Sequence, residues 1–153
     1  MLRHLLPLLV LAVSVLSGAA HAEGRLVIEN AWIRAAPPAA PMRAGYATLR
    51  NVGDAPLLVR GARSDAFGDI TLHATQMDDG IARMRELEEI KLAPGEQAVL
   101  EPGGKHLMLM RPLRELNLAE TATIVFEIGG GTSTATADFI VREAAEADPT
   151  DHH

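Results

Sequence analysis

Cysteine is absent from the sequence. A protein that leaves the cytoplasm could use disulfides, so this one must hold its fold by packing alone. The same absence excludes a redox CxxC pair, a cysteine nucleophile and a Cys-ligated zinc site. A blue-copper electron-transfer centre, which needs a cysteine ligand, is excluded with them. Basic charge is also short: the 153 residues carry a formal charge of −6, whereas nucleic-acid recognition needs a basic face. Serine is scarce beyond the N-terminal segment, where only Ser64 and Ser133 remain. Neither sits in a nucleophile motif, which argues against a hydrolytic triad. No enzyme is expected.

Only one long apolar run exists, and it opens the chain. Arg3 supplies a positive start, Leu5 to Leu16 an apolar stretch broken by Pro7 and Ser14, and Ala20-His21-Ala22 a small-residue cleavage site. This is the pattern of a secretory signal peptide over residues 1–22. The run is short for a membrane span, which needs about 20 apolar residues, so no span is expected in the mature form. Removing it takes away Arg3 and no acid, and the formal charge moves from −6 to −7. Residues 23–143 are long enough for one domain with its own core. Residues 144–153 are expected to form a flexible tail.

Helical periodicity is nearly missing as well. Short β-prone runs recur instead, near Val27–Arg34, Gly45–Asn51, Leu57–Arg63, Asp69–Thr75, Ala82–Leu87, Gln97–Leu100, His106–Met110, Thr121–Ile128 and Thr134–Val141. Turn chemistry separates them: Asn51-Val52-Gly53-Asp54, Asp78-Asp79-Gly80, Ala93-Pro94-Gly95, Glu101-Pro102-Gly103-Gly104 and Gly129-Gly130-Gly131. The proline-rich stretch from Ala35 to Pro41 reads as an extended loop, and Met42 in that proline-flanked loop reads as loop packing, with a docking surface as the alternative. Leu113–Leu118 has room for one helical turn. Many short strands at this spacing predict an all-β antiparallel sandwich.

What the body of the chain does hold is an uneven distribution of histidine and methionine. Of six histidines, His4 and His21 lie in the leader and His152 and His153 end the chain, which leaves His73 and His106. Met77, Met84, Met108 and Met110 all fall between His73 and Met110. Alternation along a strand puts His106, Met108 and Met110 on one face and Leu107 and Leu109 on the other. In the same way His73 faces away from Ile70, Leu72 and Ala74. A four-residue loop from Met77 to Gly80 would set Met84 opposite His73. A two-residue Asp79-Gly80 turn would set it opposite Thr75, diagonal to His73 on the same face. Thioether sulfur is neutral, soft and polarizable and suits Cu(I) far better than zinc, magnesium or calcium, while imidazole accepts copper in either state.

Those residues carry a resemblance. His73, Met84, His106 and Met108 stand at H-x10-M-x21-H-x-M spacing, which is similar to the pattern of the PCuAC family of periplasmic copper chaperones. The flanking Asp79-Gly80, Leu92-Ala93-Pro94-Gly95 and Pro102-Gly103-Gly104-Lys105-His106-Leu107-Met108-Leu109-Met110 resemble it too. So do Ala31-Trp32-Ile33-Arg34 and Gly45-Tyr46-Ala47. The resemblance implies a cupredoxin-like, Greek-key sandwich holding Cu(I) with His73, Met84, His106 and Met108. It implies a carrier in the periplasm that hands copper towards the binuclear centre of cytochrome c oxidase, through subunit II or a thioredoxin-like assembly factor, or has a related role in copper handling there. A monomer is expected. The alternative readings are a periplasmic copper-sequestering or resistance protein without a dedicated acceptor, and a structural sandwich whose His and Met merely pack. The chain departs from some members in having Ala74 where they place Met. It also lacks a long His/Met-rich tail that would add a Cu(II) site.

Overall fold

Alternation of apolar and polar residues drives ten strands in the computed structural model, which describes residues 22–129, 131 and 133–144. The predicted leader and tail therefore lie, but for their innermost residues, outside the described residues. The strands are β1 (Leu26–Arg34), β2 (Met42–Asn51), β3 (Leu57–Arg63), β4 (Phe67–Asp78), β5 (Ile81–Leu87), β6 (Ile90–Leu92), β7 (Gln97–Leu100), β8 (Lys105–Pro112), β9 (Thr121–Ile128) and β10 (Ser133–Arg142). They pair in the order β5-β4-β8-β7-β2-β1-β10-β9-β3-β6, and β8 also pairs with β2. β2 thus serves two partners along one edge: Met42–Gly45 meet β8, and Ala47–Arg50 meet β7.

This continuous sheet folds back on itself. β3 packs against β4 although the two stand far apart in the pairing order. The inward residues of both halves form one cluster that includes Ile33, Leu49, Val59, Leu72, Leu107, Leu109, Ile124, Phe126, Phe139 and Val141. Each large apolar side chain buried there contributes roughly 1.5–3 kcal/mol, and with no disulfide this term carries the fold. The all-β sandwich expected from the pattern is what forms.

Several details differ from expectation. Two pairings are parallel, β1 with β10 and a short contact of β7 with β8; the former joins the first and last strands and links the two halves. Ile90–Leu92 makes a tenth strand that buries Ile90 and Leu92 against β3. β2 begins at Met42 rather than Gly45, so Met42 is a strand residue and not loop packing. Its pattern already alternates there, with Arg43, Gly45, Ala47 and Leu49 inward, and Pro41 precedes the strand where no ladder donor is required. Residues 113–118 form no helical turn. Leu116 instead turns inward, and its carbonyl accepts from Arg43 Nη1 at 3.0 Å.

One polar side chain organises the turn after β2. Asn51 is fully buried, and its amide nitrogen donates to the carbonyls of Ala55 (2.8 Å) and Leu92 (3.1 Å). Its Oδ1 accepts from the backbone N–H of Arg25 (3.2 Å) and Gly53 (3.0 Å). All its capacity is used, which is the condition under which a buried polar group stabilises. Gly53 is required beside it, since a Cβ there would sit 2.1 Å from the Glu23 carbonyl oxygen. Asn51→Leu keeps the branched shape but strands these four backbone groups. It is expected to cost at least about 3 kcal/mol, read as a lowered midpoint in urea denaturation with an unchanged slope.

Candidate metal centre

The β4–β8 ladder places the two body histidines directly opposite each other. Its register pairs His73 with His106, Thr71 with Met108 and Asp69 with Met110. The alternate residues pair Leu72 with Leu107 and Ile70 with Leu109, and these four are buried. Burying the leucines therefore turns imidazole and thioether to the outer face. The two imidazole rings lie nearly parallel, 21° apart, with centroids at 5.9 Å.

Met84 reaches the same face from β5. Asp78 pairs with Ile81 and Thr75 with Met84, so the connection is the two-residue Asp79-Gly80 turn. Asp79 and Gly80 have φ of 50° and 78°, the positive pair that a type I′ hairpin demands. Met84 consequently lies diagonal to His73, the second of the two registers that the turn chemistry allowed. It is 58% exposed, whereas His106 is only 7% exposed. His73 and Met108 are half-buried.

Hydrogen bonds orient both rings. His106 Nδ1 lies 3.2 Å from the Gly104 carbonyl oxygen. A carbonyl can only accept, so Nδ1 carries the proton and Nε2 keeps its lone pair. That arrangement is how ligating histidines are commonly held. The same carbonyl accepts from Thr75 N–H at 3.1 Å, which ties the β7–β8 turn to β4. His73 Nδ1 meets Thr71 Oγ1 at 3.2 Å; a hydroxyl donates or accepts, so this bond orients the ring in either tautomer.

A cleft of about 310 Å³ opens on this face, lined by Met42, Arg43, Ala44, Tyr46, Thr75, Met84, Gly103, His106 and Met108. Three of the four residues picked out by the sequence line it: Met84, His106 and Met108. His73 does not; it stands on the flank, stacked on His106. Met77 and Met110, the other two methionines of the His73–Met110 segment, are not lining residues either, and Met77 is 69% exposed near the hairpin tip. Met42 is the lining residue that sequence reasoning passed over. Beyond it, buried Tyr46 packs on Trp32 with centroids 4.6 Å apart, and Arg142 covers Trp32 at 4.3 Å. Among the described residues no group of three or more His, Asp, Glu or Cys side chains comes together to hold a metal. A metal bound in this cleft would draw on methionine sulfur.

The family model described as “Putative lipoprotein LpqE-like” matches residues 26–139. The chain belongs to the LpqE-like family. One relative is the “Putative lipoprotein Lxx21020” of Leifsonia xyli subsp. xyli, 28% identical over 111 residues, or 72% of this chain and 66% of that protein. The match thus spans just under two thirds of that relative's length. Among solved structures, the copper-bound PCuAC domain from PmoF2 aligns with TM-score 0.65 and 22% identity, over 81% of this chain and 97% of that one. Cu(I)-bound DR1885 from Deinococcus radiodurans aligns with TM-score 0.57 and 27% identity, over 82% and 83%. The PCuAC resemblance noted in the residues holds, and this LpqE-like chain has the PCuAC fold.

The hairpin that delivers Met84 is open to a clean test. A Cβ on Gly80 would meet nothing within 4 Å, so Gly80→Ala acts through backbone strain alone, about 1–3 kcal/mol. Amide exchange across β4 and β5 near the turn is expected to quicken by roughly tenfold or more, with the β9–β10 amides unchanged.

Proposed function

We propose that this LpqE-like protein is a Cu(I) carrier that holds the ion with His73, Met84, His106 and Met108 and passes it to another protein. The supporting observation is the β4–β8 register, which sets His73 against His106 with Met108 next on the same outer face. The β4–β5 turn adds Met84 to that face. Thioethers select a soft monovalent ion, and imidazole nitrogen freed by a bonded Nδ1 completes the set. A neutral donor set leaves the ion's charge uncompensated. An acceptor whose thiolates replace thioethers one at a time would therefore draw the ion off.

Exposure favours carriage over storage. Met84 is 58% exposed, open to an incoming ligand and poorly placed to trap an ion for good. The same exposure argues against methionines that merely pack. Membership of a family named for lipoproteins agrees with export to the cell envelope, and we place the protein in the periplasm on the strength of its leader. The PCuAC likeness makes the binuclear centre of cytochrome c oxidase the proposed destination, by way of subunit II or a thioredoxin-like assembly factor. The ion is cargo and not a catalytic centre.

Competitive Cu(I) titration of the wild type against Met84→Leu plus Met108→Leu tests the assignment. Loss of two donors should weaken binding by at least about a hundredfold, taking roughly tenfold for each group lost at a metal site. Equal affinity in the two proteins would exclude these sulfurs.

A further inference from the structure

We propose that Met42 is a third thioether of this centre, a Cu(I) donor on the β2 side of the cleft; the inference rests on the Cu(I) reading above. Met42 begins β2 on its outward face, paired with Met110 across the β2–β8 ladder. The next pair along the same face is Ala44 with Met108, so Met42 is diagonal to Met108, within reach of a long side chain. Ala44 between them is small and leaves the way open. Met42 lines the cleft together with Met84, His106 and Met108.

Packing does not account for Met42. It is 48% exposed, and its outward position keeps it out of the core, where methionine serves as a filler. Along the sheet, β8 lies between β2 on one side and β4 with β5 on the other. Met42 and Met84 therefore approach the His106–Met108 pair from opposite flanks. An ion resting on His106 and Met108 can be gripped from either side. With His73, the centre then offers more donors than a Cu(I) ion needs at one time. One thioether can let go to an acceptor while another holds, and the ion is never released to solvent during exchange.

The test uses the full chain carrying [methyl-13C]methionine, with Ag(I) as a redox-inert soft monovalent probe. Single Met→Leu variants assign the methyl signals. At saturation the Met42, Met84 and Met108 methyls should shift, while those of Met77 and Met110 stay in place. Cu(I) affinity should fall severalfold in Met42→Leu, less than in Met108→Leu because another donor can take its place, and hold in Met110→Leu, which alters the opposite side chain of the same pair. A Met42 methyl that stays fixed while Met84 and Met108 move overturns this inference and leaves the proposed carrier intact. If no methionine methyl moves, the carrier falls and this inference with it.

Discussion

The whole outer face depends on the register of β4 against β8. Ile70, Leu72, Leu107 and Leu109 point inward and are buried, while Thr71, His73, His106 and Met108 point the other way. A slip of β8 by one residue would drive its leucines into water and His106 with Met108 into the core. The register is thus held by apolar burial on one side of the sheet, and the proposed donors on the other side take their positions from it. A chain with no cysteine has no other staple to offer. Apolar packing sets the geometry of the polar site.

Rigidity is graded across that face. β8 sits between neighbours, its leucines fully buried, and His106 is fixed by a carbonyl that also binds Thr75. β5 is an edge strand whose residues are exposed from Ile81 to Glu86. It is held by its ladder to β4 and by the Asp79-Gly80 turn. Few buried contacts mean a small free energy of local opening. Met84 therefore rides on an exposed edge strand of the sheet, and His106 on a strand paired on both sides. For a carrier this is a useful division: one donor anchors and another yields.

Much of this was legible in the residues. Alternation alone separated Leu107 and Leu109 from His106, Met108 and Met110, and the turn residues located most of the hairpins. The Asp79-Gly80 dipeptide left two registers open, because loop length is decided by where the ladder stops pairing and not by the dipeptide itself. Met42 was hidden by the prolines before it, although Arg43, Gly45, Ala47 and Leu49 already marked the inward face. β6 is three residues long, too short for any period to show. The parallel β1–β10 contact joins strands at opposite ends of the chain, and no local pattern encodes such a pairing. That His73 stands on the flank of the cleft was likewise invisible, since register fixes which face a side chain takes and not how far it reaches.

Charge explains why such a face would choose its ion. Imidazole and thioether are neutral, and among the described residues no group of three or more His, Cys, Asp or Glu gathers to hold a metal, although Glu86 stands opposite His73 across the β4–β5 ladder. A divalent ion there would bring two positive charges that the proposed donors do not offset; a monovalent soft ion brings one and gains from the polarizable sulfurs. The cleft is open on the Met84 side, so water can solvate the residual charge and the ion need not be fully dehydrated to bind. A partner bearing thiolates removes that charge at the moment of contact. On the proposed reading, the direction of transfer is set by this difference in ligand charge, and the carrier needs no conformational engine to release its cargo.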